Sequence, residues 1–125
     1  MAMIWVGLGG FVGAISRNLM VGLVSGLFGN NAFPAGTLSV NVLGSFIFGL
    51  LSVLIERRTN VPPEVQGFIF IGLLGGFTTF STFSNEILNL FRGGQEGLAL
   101  AYMAGSLALG IGAIWLGLKA GQLWA

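Results

Sequence analysis

The chain has 125 residues, 54% of them hydrophobic and only 7% charged, with a mean hydropathy of +0.91. A soluble globular domain carries about 25% charged residues, and no water-soluble fold of this size hides so much apolar surface inside itself, so lipid is the solvent. The sequence contains no Cys, His or Asp, which removes disulfides, thiolate and imidazole chemistry and the usual transition-metal sites; a formal charge of +1 gives no electrostatic reason to expect nucleic acid.

A membrane-crossing helix needs about 20 apolar residues. Four stretches qualify, within a single domain covering residues 1–125. The first covers 4–28 and is interrupted by Ser16-Arg17-Asn18. It lacks the basic leader of a secretory signal and is not followed by a small-x-small cleavage site, so it reads as a mature helix. Gly29-Asn30-Asn31 and Phe33-Pro34 mark a turn. The second stretch covers 37–55 and stops at Glu56-Arg57-Arg58. In the loop 59–63, Pro62 and Pro63 are placed to precede or open a helix. The third stretch covers 64–91 and the fourth 97–124. Trp5 and Trp124 suit interface anchors.

A four-helix arrangement puts Arg57, Arg58 and Lys119 on one side of the bilayer and, on the other, Arg92 together with Arg17 if that residue lies near the helix end. Orientation follows Lys/Arg asymmetry in short loops. With so small a bias, either the orientation is fixed by other means or the protein inserts both ways, and the second option suits an antiparallel homodimer. Glycines recur at spacing four in the pairs Gly9/Gly13, Gly22/Gly26, Gly72/Gly76 and Gly117/Gly121. Such faces let helices approach closely in membranes.

The third stretch contains Gly75-Gly76-Phe77-Thr78-Thr79-Phe80-Ser81-Thr82-Phe83-Ser84-Asn85-Glu86. Hydroxyls so dense are out of place against lipid. The adjacent glycines weaken a helix where the hydroxyls begin, and Thr78 or Thr79 can cap a fresh half-helix. A break near 75–79 is therefore expected. Broken helices at membrane depth are tolerated where freed backbone groups face protein, water or an ion, and they recur at ion and substrate sites. On the half-helix, Thr78, Ser81 and Asn85 recur at helical spacing, as do Phe80, Phe83 and Ile87, with Thr82 and Glu86 a further pair. One side offers hydroxyl donors and a neighbouring side offers aromatic rings, whose edges are electropositive. Weak multiple contacts of this kind suit conduction of a small hard anion. The plainer alternative has Ser and Thr bonding their own i−4 carbonyls while the rings fill a core. The whole run beside a glycine pair favours function.

Asn41 interrupts the second stretch, where its amide serves either as interhelical glue or as a pore donor. Arg17 serves either an aqueous vestibule that attracts anions or snorkels to the interface. Glu86 either ends the polar track or is solvated near the interface. Tyr102 and Ser106 share a face of the fourth stretch and either complete a polar path or serve as interfacial aromatic and packing residue.

With these residues in place, the sequence resembles the Fluc (CrcB) family of bacterial-type fluoride channels. The resemblance rests on the run from Gly75 through Ser84 with Glu86, on Gly36-Thr37-Leu38 leading to Asn41, and on Gly13-Ala14 followed by Arg17. It covers essentially the whole chain. It implies an all-α, antiparallel, dual-topology homodimer with fluoride pores and a structural sodium ion at the dimer interface, and no organic cofactor. By position, Phe80 and Phe83 would meet fluoride at their ring edges. Asn41 would donate to the ion, while Ser81, Thr82, Ser84, Tyr102 and Ser106 would line the path. Arg17 would sit at a vestibule, and the Gly75 and Thr78 carbonyls would bind sodium. The expected activity is passive fluoride export across a bacterial inner membrane. Where some relatives continue the fourth-helix hydroxyl track, Gly110 and Ile114 stand here.

Other classes fit less well. A small multidrug exporter wants a carboxylate in its first helix, which here has none. A non-transporting assembly protein leaves the run 78–84 without a task. An intramembrane enzyme would need a base to activate Ser, and none is evident.

Overall fold

The computed structural model describes residues 2–28, 33–58 and 60–124. Four helical spans are long and apolar enough to cross a membrane, and no strand occurs among the described residues. Span one is α1 (Ala2–Phe28) and span two is α2 (Ala35–Glu56). Span three is composite. It comprises α3 (Pro63–Gln66), a π-helical stretch Gly67–Leu73, α4 (Leu74–Phe77), a break, and α5 (Ser81–Arg92). Span four is α6 (Glu96–Trp124). The expected turn at Gly29-Asn30-Asn31, and Thr59, lie outside the described residues.

The helix ends follow from local chemistry. Pro63 takes the first helical position after an extended Pro62, where a missing N–H costs nothing. The Val65 and Gln66 N–H groups then donate to the Pro62 carbonyl at 3.1 and 3.2 Å. At the other end of the span, Gly94 adopts φ +76°, the left-handed region glycine tolerates best. The Gln95 N–H reaches the Leu90 carbonyl at 2.9 Å and the Gly94 N–H reaches that of Phe91 at 3.1 Å. This pairing stops α5 and turns the chain straight into α6.

Two close helix pairs build the unit, α2 with α6 and α1 with the first half of span three. Glycine makes both possible. A Cβ at Gly117 would strike the Phe46 carbonyl, and one at Gly49 the Ile114 carbonyl. On the other seam, a Cβ at Gly9 would strike the Phe68 carbonyl and one at Gly76 would lie 2.9 Å from the Gly10 carbonyl oxygen. The fourth glycine pair differs. Among the described residues, nothing lies within 4 Å of a Cβ built on Gly22 or Gly26, so neither packs against another described element. α1 follows span three only as far as α4, and beyond the break α5 turns to α6 instead.

The interruption falls late in the expected window. Helix persists through Gly75 and Gly76 to Phe77, and the broken residues are Thr78, Thr79 and Phe80. Gly76 is spent on close approach to α1, whereas a Cβ at Gly75 would meet only the Phe70 carbonyl of its own span at 3.8 Å, and Thr78 ends the helix. Its N–H and its Oγ1 both donate to the Leu74 carbonyl at 3.0 Å, and its backbone turns extended.

Burial is the inverse of a soluble protein. Leu19, Leu23, Phe11, Leu107 and Ile111 face outward, whereas the most buried side chains include Thr37 and Tyr102. Apolar surface meets lipid and polar chemistry is held inside.

Candidate functional site

The break is held by Asn41 of α2. Its Nδ2 donates to the Thr79 carbonyl at 3.1 Å, and its Oδ1 accepts from the Thr79 N–H at 2.8 Å. One amide thus satisfies both backbone groups of a residue that has lost its helical partners, as a break in lipid requires. Thr79 Oγ1 accepts the Thr82 N–H at 3.3 Å and caps α5. Of the two capping residues the sequence allows, Thr79 serves α5 and Thr78 closes α4.

These bonds have a second consequence. In an unbroken helix the Thr79 N–H would bond the Gly75 carbonyl, and the Thr82 N–H that of Thr78. Side chains have taken both N–H groups, so the Gly75 and Thr78 carbonyls lose their helical donors. Both residues line a cavity of about 310 Å³, together with Gly44, Ser45 and Phe70.

A neighbouring cavity of about 300 Å³ lies between α2, the break and α6; its wall includes Asn41, Ser45, Phe80, Phe83 and Ser106. Ser106 Oγ is buried and has no hydrogen-bond partner among the described residues. The Asn41 amide has a second hydrogen beyond the one given to Thr79. The Phe80 and Phe83 ring centroids are 6.0 Å apart with planes tilted by 47°. Phe83 meets Tyr102 edge-on at 5.0 Å, and Tyr102 meets Phe33 edge-on at 5.5 Å. The wall therefore offers neutral donors and two phenyl rings, and no basic side chain.

Behind it lies a carboxylate clamp. Glu86 of α5 accepts the Thr37 hydroxyl at one oxygen and the Tyr102 hydroxyl at the other, each at 2.9 Å. It ties α2, α5 and α6 together around a charge that two hydroxyls satisfy.

Among the residues singled out from sequence, Asn41, Phe80, Phe83 and Ser106 meet around one cavity, and Gly75 and Thr78 around the other. Tyr102 is fully buried and directs its hydroxyl to Glu86, so it backs the cavity through Phe83 rather than lining it. Ser81, Thr82 and Ser84 lie exposed on α5. Arg17 is half-exposed within α1, outside the wall of either cavity. Sequence reasoning gave no role to Thr37, which it used only as part of a matching motif, and missed Ser45. Their signal was the spacing of four on α2, where Thr37, Asn41 and Ser45 form one row.

A bundle of membrane-crossing helices, its third span broken around a polar, phenylalanine-rimmed cleft, defines a multi-pass membrane protein with intramembrane polar chemistry. The chain belongs to the CrcB-like family, described as "CrcB-like protein, Camphor Resistance (CrcB)", whose profile matches residues 4–118. Among its relatives is a protein of Magnetococcus marinus named fluoride-specific ion channel FluC, 49% identical over 98% of this chain and 99% of the relative. Proteins of the same name from Agrobacterium fabrum and Deinococcus radiodurans are 44% and 50% identical, over 94% and 86% of this chain and 93% and 85% of their own lengths.

Proposed function

We propose that this chain is one subunit of a fluoride-selective channel, an antiparallel homodimer that lets fluoride leave the cytoplasm passively across a bacterial inner membrane. The observation that carries this reading is the cavity wall: unspent donors on Asn41 and Ser106 beside the rings of Phe80 and Phe83, with no cation to trap an anion. A fluoride ion shedding water exchanges those hydrogen bonds for the Ser106 hydroxyl, the free Asn41 hydrogen and electropositive ring edges. None of these is strong enough alone to hold the ion, which is what conduction requires. Tyr102 acts from behind, fixing Phe83 while Glu86 fixes Tyr102. Arg17 attracts anions at the aqueous mouth, and the exposed hydroxyls of Ser81, Thr82 and Ser84 extend the path once a second copy covers α5.

The reading includes a structural sodium ion. Gly75 and Thr78 fit the task because their carbonyls have lost helical donors and share a cavity wall. Hard cations take oxygen ligands, and two opposed subunits would supply four. When bound, the ion would take these carbonyl oxygens as ligands in place of the helical donors they have lost. The proposed protein is not an enzyme and uses no organic cofactor.

The test is ion efflux from liposomes containing the purified protein. Rapid fluoride release with little chloride release is expected. Well-folded protein that releases no fluoride would overturn the assignment.

A further inference from the structure

Two rows of polar side chains run toward the cavity at helical spacing. On α6, Tyr102 and Ser106 are followed four residues later by Gly110, where the row has no side chain. On α2, Thr37 and Asn41 are followed by Ser45. The rows converge there. A Cβ built on Gly110 would have one neighbour within 4 Å outside its own helix, the Ser45 Oγ at 4.0 Å. The hydroxyl of Ser45 stands beside the position where the next α6 side chain would begin.

Three further observations separate Ser45 from a packing residue. Ser39 and Ser52 on the same helix donate to the carbonyls three residues back, at 2.7 and 2.8 Å. No such bond engages Ser45 among the described residues, so its hydrogen is unspent. Ser45 also lines both cavities, one walled by Phe80, Phe83 and Ser106 and the other by Gly75 and Thr78. In the first of these, Ser106 Oγ is buried and, among the described residues, has no partner. Two idle hydroxyls and one free amide hydrogen therefore border one space, a set without purpose unless an acceptor arrives from outside the chain.

We propose that Ser45 is an anion-coordinating residue of the pathway, supplying from α2 the hydroxyl that α6 lacks at Gly110. The inference rests on the fluoride reading above and adds a ligand to it. A hydroxyl is both donor and acceptor. Ser45 can therefore give its hydrogen to an anion in the first cavity while its oxygen faces the second. Gly110 complements it by leaving open the volume that a side chain would fill.

The experiment compares fluoride efflux from liposomes for the unaltered protein, Ser45→Ala, Gly110→Ser and the double variant, with assembly checked by size-exclusion chromatography. Ser45→Ala is expected to slow efflux roughly three- to tenfold, the range of one net hydrogen bond. Adding Gly110→Ser is expected to recover most of that loss, because the hydroxyl is restored from the facing helix. If Ser45→Ala does not assemble, Ser45→Cys, similar in volume but a weaker donor, takes its place in the same comparison. An unchanged rate in the single variant overturns the proposal. So does a slow double variant that assembles normally, since Ser45 would then act by packing or across a subunit contact. Unaltered protein that passes no fluoride overturns the channel reading and this inference together, and that result is visible before any variant is compared.

Discussion

Asn41 shows how one side chain can decide a backbone. Its amide is the only described side chain that engages both main-chain groups of Thr79, and without it those groups would lie in a low-dielectric setting unpaired. Each such group costs about 1–3 kcal/mol when stranded. Asn41→Ala is therefore expected to lower the melting temperature of the protein in detergent by several degrees. Ser106→Ala, which removes a hydroxyl with no partner among the described residues, is expected to leave it unchanged. Equal melting of Asn41→Ala and the unaltered protein would show that the break holds itself open. The polarity of Asn41 was legible in the sequence because an amide inside an apolar helix is conspicuous. Its partner was not, since the bonded backbone lies 38 positions away and an amide names no partner. For the same reason Glu86 was visible as a charge, but its clamp on Thr37 and Tyr102 was not.

Among the elements, the glycine pairs carry the clearest lesson. Spacing of four identifies a face that permits close approach, but it does not say what approaches. Gly117 meets the Phe46 backbone, whereas Gly22 meets nothing among the described residues. Overpacking a tight contact costs about 1–3 kcal/mol or more when the obstacle is backbone. Gly117→Val should accordingly destabilise the protein in detergent well beyond Gly22→Val, measured as loss of folded protein on heating. Comparable losses would contradict the packing described for α2 and α6. The composition and apolar runs made all four spans readable, since lipid imposes both length and hydropathy. The π-helical stretch Gly67–Leu73 was hidden, because an i→i−5 bond such as that from the Leu74 N–H to the Ile69 carbonyl leaves no residue pattern. The break was displaced from the glycines to Thr78, Thr79 and Phe80 because α1 presses against Gly76 and the threonine side chains terminate and restart the helix. Glycine lowers helix propensity, but tertiary contact overrides it.

For the whole molecule, the single chain leaves an imbalance that a second copy would correct. Most of its surface suits lipid, yet α5 exposes Ser81, Thr82 and Ser84 beside a Phe80 that is 79% exposed. Hydroxyls facing hydrocarbon cost free energy unless protein or water covers them. An antiparallel partner seated on α5 would cover both copies at once, and would bring two sets of Gly75 and Thr78 carbonyls together across the symmetry axis. The small Lys/Arg bias between the two sides supports the proposed insertion in both orientations. Because the chain contains no cysteine, Gln95→Cys provides a single reporter in the exposed turn before α6. In native membranes, an impermeant thiol reagent is expected to label about half of the molecules, as dual insertion requires. Within an antiparallel dimer the two reporters lie on opposite faces of a hydrocarbon core about 30 Å thick. A short bis-thiol cross-linker should therefore fail to join them, while the dimer survives size-exclusion chromatography. Complete labelling, or efficient cross-linking of Gln95→Cys to itself, would mean parallel subunits and would remove the geometry in which opposed carbonyls could share one cation.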